Sequence, residues 1–212
     1  MAQTNNPSHM TSSITKKSIR RDMRAKRLSL SEKNLDAAAN MLANIVETQV
    51  PWLLQAKCIL SYEPFEGEIS PKPIIDRTSD STVYLPRIID YKAGIMEFLP
   101  SNPHLDKNKF GIKEPVYGKP ISAQTADLIL VPLTAFDGAG NRLGMGAGFY
   151  DRAMSSIERN GTNGLLNGPL IVGLAHHFQK MDCLPTDQWD VSLDAVISDK
   201  ECIKVSDRFC PR

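Results

Sequence analysis

Apolar positions recur along the chain with two different spacings, and the spacing separates candidate helices from candidate strands. Leu35, Ala39, Leu42 and Ile45 fall on one side of a 3.6-residue period, which predicts a helix stopped by Pro51. Ser29 followed by Glu32 has the spacing of a capping box for that helix. Residues 14–27 predict an earlier helix with a strongly basic side. Short apolar runs predict strands instead: "AKCILSY" (56–62), "STVYLPRI", "GIMEFLP", "DLILVPLTAF" (127–136), "GPLIVGLA" and "LDAVISD". The second and third of these are each expected to close near a proline. "PKPIIDRTS" reads as a short helix with its prolines at the start, where missing donors matter least. Phe149 to Glu158 reads as another helix, and 101–125 as a connection with "FGIKEP" embedded in it.

A run as continuously apolar as 127–136 fits a strand covered on both faces. Strands alternating with helices then predict an α/β fold, three-layer αβα with a mostly parallel central sheet, in a single domain spanning 14–212. Residues 1–13 are polar and are read as a disordered tail or expression remnant, with Met10 as the natural start. No apolar run approaches the roughly 20 residues needed to cross a bilayer, and the amino terminus lacks the hydrophobic centre of a secretory signal. The net charge of +1 argues against a general attraction to nucleic acid or to anionic membranes. Cys58, Cys183, Cys202 and Cys210 form no C-x-x-C and no zinc-like spacing, which predicts reduced thiols and a cytoplasmic protein.

The stretch "NRLGMGAGFYDR" (141–152) carries the most chemistry. It falls between the carboxyl end of a predicted strand and the start of a predicted helix, where open parallel sheets bind ligands. Gly144, Gly146 and Gly148 give G-x-G-x-G, which matches neither the P-loop nor the dinucleotide fingerprint. Glycines before a helix nevertheless let several N–H groups converge on an anion. Arg142 can add a charge-assisted contact to phosphate, and Asp151 can hold a hard cation such as Mg²⁺. A tight strand–helix connection explains the loop equally well. Two further groups belong with it. Lys16, Arg20 and Arg24 share one face of the first helix, either as a solvated surface or as a phosphate clamp. "EPFEGEIS" places Glu63, Glu66 and Glu68 after the first strand, and "TDQWDVSLD" sets Asp190 where it can join Asp151. His176 and His177 are adjacent on a strand and so point apart, which makes them poor joint metal ligands.

Taken together, "KKSIR", the glutamate loop ending "GEIS", "RLGMGAGFYD" after "DLILVPLTAFD", and "QWDVSLDAVISD" resemble the 5-formyltetrahydrofolate cyclo-ligase family, also called 5,10-methenyltetrahydrofolate synthetases. The resemblance runs over almost all of 14–199. It implies Mg-ATP-dependent conversion of 5-formyltetrahydrofolate to 5,10-methenyltetrahydrofolate, with release of ADP and phosphate. It further implies that Lys16 and Arg20 bind ATP together with Arg142, Leu143, Gly144, Met145, Gly146, Ala147, Gly148, Phe149 and Tyr150. Met145 to Phe149 also border the folate, Glu68 is its carboxylate partner, and Leu60 and Tyr62 are expected to line its pocket. Asp151 and Asp190 match the Mg²⁺ positions, and Arg142 takes the catalytic role. Met145, Ala147 and Phe149 depart from common family choices, and Ser70 stands where an acid is frequent. The expected partners are ATP and the folate, with no membrane and no nucleic acid. Two other readings are a binder of nucleotide or folate without turnover, and an RNA-associated protein that uses the basic helix.

Overall fold

The computed structural model describes residues 15–102, 104–158 and 168–210. The tail assigned to residues 1–13 lies outside that range. The first helix, α1 (Lys16–Leu28), starts where Thr15 accepts a hydrogen bond from the Ser18 N–H at 3.1 Å, and Ser18 answers the Thr15 N–H. Ser29 closes α1 rather than opening the next helix. The cap of α2 (Glu32–Gln49) is Ser31, whose hydroxyl accepts from Asn34 N. A cap needs extended backbone, and Ser31 supplies it with ψ of 156° while Ser29 is still near-helical at ψ of −8°.

Seven strands form one sheet in the order β11-β10-β9-β6-β1-β2-β3. The inner strands β1 (Cys58–Leu60), β2 (Thr82–Asp90), β6 (Leu128–Pro132), β9 (Leu170–Ala175) and β10 (Ala195–Ser198) run parallel. The edges β3 (Ile95–Pro100) and β11 (Cys202–Lys204) are antiparallel. Strand β2 passes straight through Pro86 instead of closing at it. Its pairing with β1 ends at Tyr84, so Pro86 has a partner on the β3 side only and its missing N–H breaks no ladder on the other. The segment 101–125 is more ordered than its composition suggests, with a hairpin of β4 (Leu105–Lys107) and β5 (Lys113–Pro115) and a 3-10 turn at Ala123–Thr125.

Helices cover both faces. On one, α2 and the short α3 (Lys72–Ile75) bury Ala39, Leu42 and Val46 against Ile59, Leu130, Val172 and Ile197. On the other, α4 (Phe149–Met154) sets Met154 over Ile129, Ile171 and Val196. Helix α4 is shorter than the 149–158 reading. The long apolar run 127–136 splits into β6 and β7 (Ala135–Phe136), which pairs with β8 (Arg142–Leu143) in a separate two-stranded sheet. The break is satisfied by Gln179, a buried amide that donates to the Leu133 and Thr134 carbonyls at 2.7 and 2.8 Å. Helix α1 rests its Ile19 and Met23 on Ala135, Leu143 and Leu184.

The winding decides where a ligand fits. From β1 the chain crosses to β2 on one side, and from β6 it crosses to β9 on the other. The loops leaving β1 and β6 therefore part at a topological switch point, the usual crevice for ligands in open parallel sheets.

Candidate active site

A cleft of about 1100 Å³ opens at that switch point. It is lined by the loop after β1, the glycine segment after β8, the start of α1, the 187–190 turn and the β2–β3 side of the sheet. The basic helix and the glycine segment meet directly. Arg20 Nε donates to the Gly144 carbonyl at 2.8 Å, and the Arg20 guanidinium lies 3.3 Å from where a side chain on Gly146 would begin. Gly146 also sits at φ of 107°, which L side chains rarely adopt, so both conformation and space select glycine there. One turn away, Lys16 Nζ donates to Asp187 at 2.7 Å and to Asp190 at 3.0 Å. Partial burial works against the Lys16 charge, but the two acids outweigh it and hold its pKa above the ordinary lysine value. Asp190 feels burial first as well, yet the Asp187 N–H and Lys16 hold its carboxyl below the usual range.

Arg142 is almost fully enclosed at the floor of the cleft. Its Nη2 reaches Asp151 Oδ1 at 2.5 Å, and its Nε is buried without a partner. Asp151 Oδ1 also accepts from Val191 N at 3.2 Å. Among the described residues, the hydrogen bonds of Asp151 and Asp190 each use a single carboxylate oxygen, which leaves one oxygen per acid unengaged by protein. No cluster of three or more His, Cys, Asp or Glu that could hold a metal occurs among the described residues.

The opposite end of the cleft is drier. Glu68 is buried, with Oε1 3.4 Å from Arg27 Nη1 and Oε2 accepting from Phe65 N at 3.1 Å. Burial drives its pKa up to about 7, against the pull of Arg27 and the Phe65 N–H. Tyr62 donates to the Ile69 carbonyl at 2.6 Å, and burial raises its hydroxyl and that of Tyr150 far above the usual phenol range. On the same cleft, Tyr91 packs against Phe110 and Phe149 at centroid distances of 4.6 and 5.8 Å, with Lys109 over the Tyr91 and Phe110 rings. The cleft thus combines aromatic faces with a buried carboxylate.

A family model described as 5-formyltetrahydrofolate cyclo-ligase matches residues 12–199. The chain belongs to that family. The cyclo-ligases are ligases of folate one-carbon metabolism, and this chain is one of them. The cyclo-ligase of Haemophilus influenzae is 34% identical over 181 residues, covering 82% of this chain and 90% of that protein. The cyclo-ligase of Escherichia coli K12 is 31% identical, covering 83% and 96%. The solution structure of Aquifex aeolicus 5,10-methenyltetrahydrofolate synthetase superposes with a TM-score of 0.74 at 28% identity, covering 92% of this chain and 94% of that one.

Of the residues that the family resemblance singled out, Lys16, Arg20, Tyr62, Glu68, Arg142, the whole run Leu143–Tyr150, Asp151 and Asp190 all line the cyclo-ligase cleft. Leu60 does not. It is fully buried and packs into the core with Ile129 and Phe98. Sequence reasoning missed Arg27, Asp187 and the pairing of Tyr91 with Phe110. Asp187 sits three residues from Asp190 in the quoted "TDQWDVSLD", and Phe110 opens "FGIKEP", so both lay inside motifs already marked. No motif marked Arg27.

Proposed function

We propose that the chain converts 5-formyltetrahydrofolate to 5,10-methenyltetrahydrofolate with Mg-ATP, in the cytoplasm, releasing ADP and phosphate. The observation that carries this reading is the contact of Arg20 with the Gly144 carbonyl, which puts the cationic helix and the glycine arch on one cleft. In this reading Lys16, Arg20, Arg142 and the N–H groups of Gly144–Gly148 surround the triphosphate. Glu68 takes the polar edge of the pterin, and Tyr91, Phe110 and Phe149 take its flat faces or the adjoining aryl ring.

The formyl group on N5 is an amide, and its oxygen leaves poorly. Transfer of the γ-phosphoryl group to that oxygen converts it to a phosphate ester, and N10 then attacks the activated carbon. Loss of the N10 proton and of phosphate completes the methenyl bridge. The protein needs no nucleophile of its own. It aligns two substrates and stabilises charge on the transferring group, which is how phosphoryl transfer is usually catalysed. Arg142 suits that task because its Nε is already desolvated and unpaired. Lys16 and Arg142 are held by Asp190 and Asp151 in this structure, and phosphate oxygens can replace or bridge those partners. The unengaged oxygens of Asp151 and Asp190 fit Mg²⁺, which takes one or two carboxylates along with phosphates and waters. Bound there, the ion would neutralise phosphate charge.

Absorbance of the methenyl product tests the proposal. Product is expected to accumulate only with both ATP and a divalent metal. Tight folate and nucleotide binding with no product under any divalent metal would replace the enzyme with a binding protein.

A further inference from the structure

The buried stripe of α1 reads Ile19, Met23 and Arg27, at i, i+4 and i+8. The first two pack on an apolar cluster, and the same spacing calls for a third apolar residue. An arginine stands there with 1% of its surface exposed. Its charge is poorly compensated by hydrogen bonds, since among the described residues Nη1 reaches only Glu68, at 3.4 Å, and Nε is buried without a partner. A guanidinium buried this way costs stability that a leucine would not, so its presence calls for a role other than packing.

What the cation faces supplies that role. An ionised carboxylate is a pure acceptor with about four lone-pair sites. In Glu68 the protein uses one site on each oxygen, through Arg27 and through Phe65 N. One site per oxygen remains, and Glu68 lines the cleft. That pair matches two neighbouring N–H donors, such as an amino group beside a ring N–H on a reduced pterin. Protonation would turn one of those acceptors into a donor facing a donor.

We propose that Arg27 is a positioning residue for folate recognition, holding the Glu68 carboxylate ionised and aimed into the cleft so that both oxygens accept from the pterin edge. This rests on the assignment of Glu68 to the folate made above. Among the described residues that face it, Arg27 is the one charged side chain that favours the ionised form, beside the Phe65 N–H. Glu66, on the same loop, opposes ionisation, and its own charge is taken up by Arg24. Tyr62, beyond β1, and Tyr150, on α4, face Glu68 as neutral hydroxyls. From the end of β9, His176 reaches the Gly67 carbonyl at 3.0 Å, not the carboxylate, and burial keeps its imidazole neutral to below the ordinary histidine range. The balance is fine, for with Arg27 present the Glu68 carboxyl still titrates near 7. Gly67 keeps the distance short. At φ of 73° it passes so close to α1 that a side chain there would begin 2.6 Å from the Arg27 carbonyl oxygen.

The test is calorimetric binding of 5-formyltetrahydrofolate and, separately, of ATP, from about pH 5.5 to about pH 9, a range that spans the Glu68 midpoint. Wild-type folate affinity should climb as pH rises through about 7 and then level off. Arg27→Met should move that midpoint up by about 1–2 units, a loss of about 5- to 50-fold at neutral pH that is regained in base, with ATP affinity unchanged. Arg27→Lys should restore the wild-type midpoint. A flat wild-type profile, or a loss in Arg27→Met that is the same at every pH, would overturn the proposal in favour of a purely structural clamp. If Arg27→Met does not fold, the wild-type profile and Arg27→Lys still decide. Glu68→Gln separates the two levels. Wild-type folate affinity in that variant would sink the assignment of Glu68 itself. Lost folate affinity there, beside an unmoved midpoint in Arg27→Met, would sink only the role of Arg27.

Discussion

The two ends of α1 meet the cleft in opposite ways. At its start, Lys16 and Arg20 are partly exposed and bonded to acids and a carbonyl that incoming phosphate can displace. At its end, Arg27 is sealed in and touches a single carboxylate, whose pKa it competes with burial to set. In the function proposed above, the same residue chemistry thus does two jobs. Where water reaches, a cation pair is weak and exchangeable, and it serves a ligand that brings its own charge. Where water is excluded, one cation changes the protonation state of its neighbour, and it serves a neutral ring that must be read by its donors.

The contrast can be broken at either end. The largest effect is expected at the phosphate end. Arg142→Ala removes a desolvated donor from the transferring group and should lower kcat by about 10²–10³-fold with folate affinity intact. Wild-type turnover in steady-state kinetics would contradict its role. Next comes a stability effect at the dry end. Glu68 holds its proton up to about pH 7 when folded, against an ordinary value of 4.5, so between those values the folded state binds more protons than the unfolded. The Glu68 contribution to stability should therefore fall as pH rises across that window, by about 3 kcal/mol in all. Glu68→Gln lacks this dependence, and denaturant unfolding should find the variant gaining on wild type from pH 4.5 to 7. A constant difference would mean that Glu68 is not desolvated in the free protein. The smallest effect is Gly146→Ala, which places a side chain at positive φ against Arg20. About 1–3 kcal/mol of strain should appear as weaker ATP binding, roughly tenfold, with the folate pH profile unaltered. Equal damage to both substrates would show that the ends are not separable.

The parts of this molecule that were legible in its sequence share a cause. Helix α1, the parallel strands and the glycine arch are written in local spacing, and local spacing survives folding. The short α4, the split of 127–136 and the passage of β2 through Pro86 depended on partners elsewhere, namely Gln179 for the broken run and the early end of β1 for the proline. Leu60 stands in the core rather than in the cleft lining, and its burial depends on Phe98 and Ile129, which lie far from it in sequence. Arg27 looked like one more charge in a basic helix. Only its register with Ile19 and Met23, read as a break in an apolar stripe, pointed inward.

Because Lys16 and Arg27 belong to one unbroken helix, the gap between their backbones is set by helical rise, about 16 Å along the axis. In the proposed function the helix is in effect a gauge bar lying beside the reaction, with a polyphosphate mark at one end and a pterin mark at the other. Adding or deleting a single residue between the marks would swing one of them by about 100° around the bar, so chain length here is under the same constraint as side-chain identity.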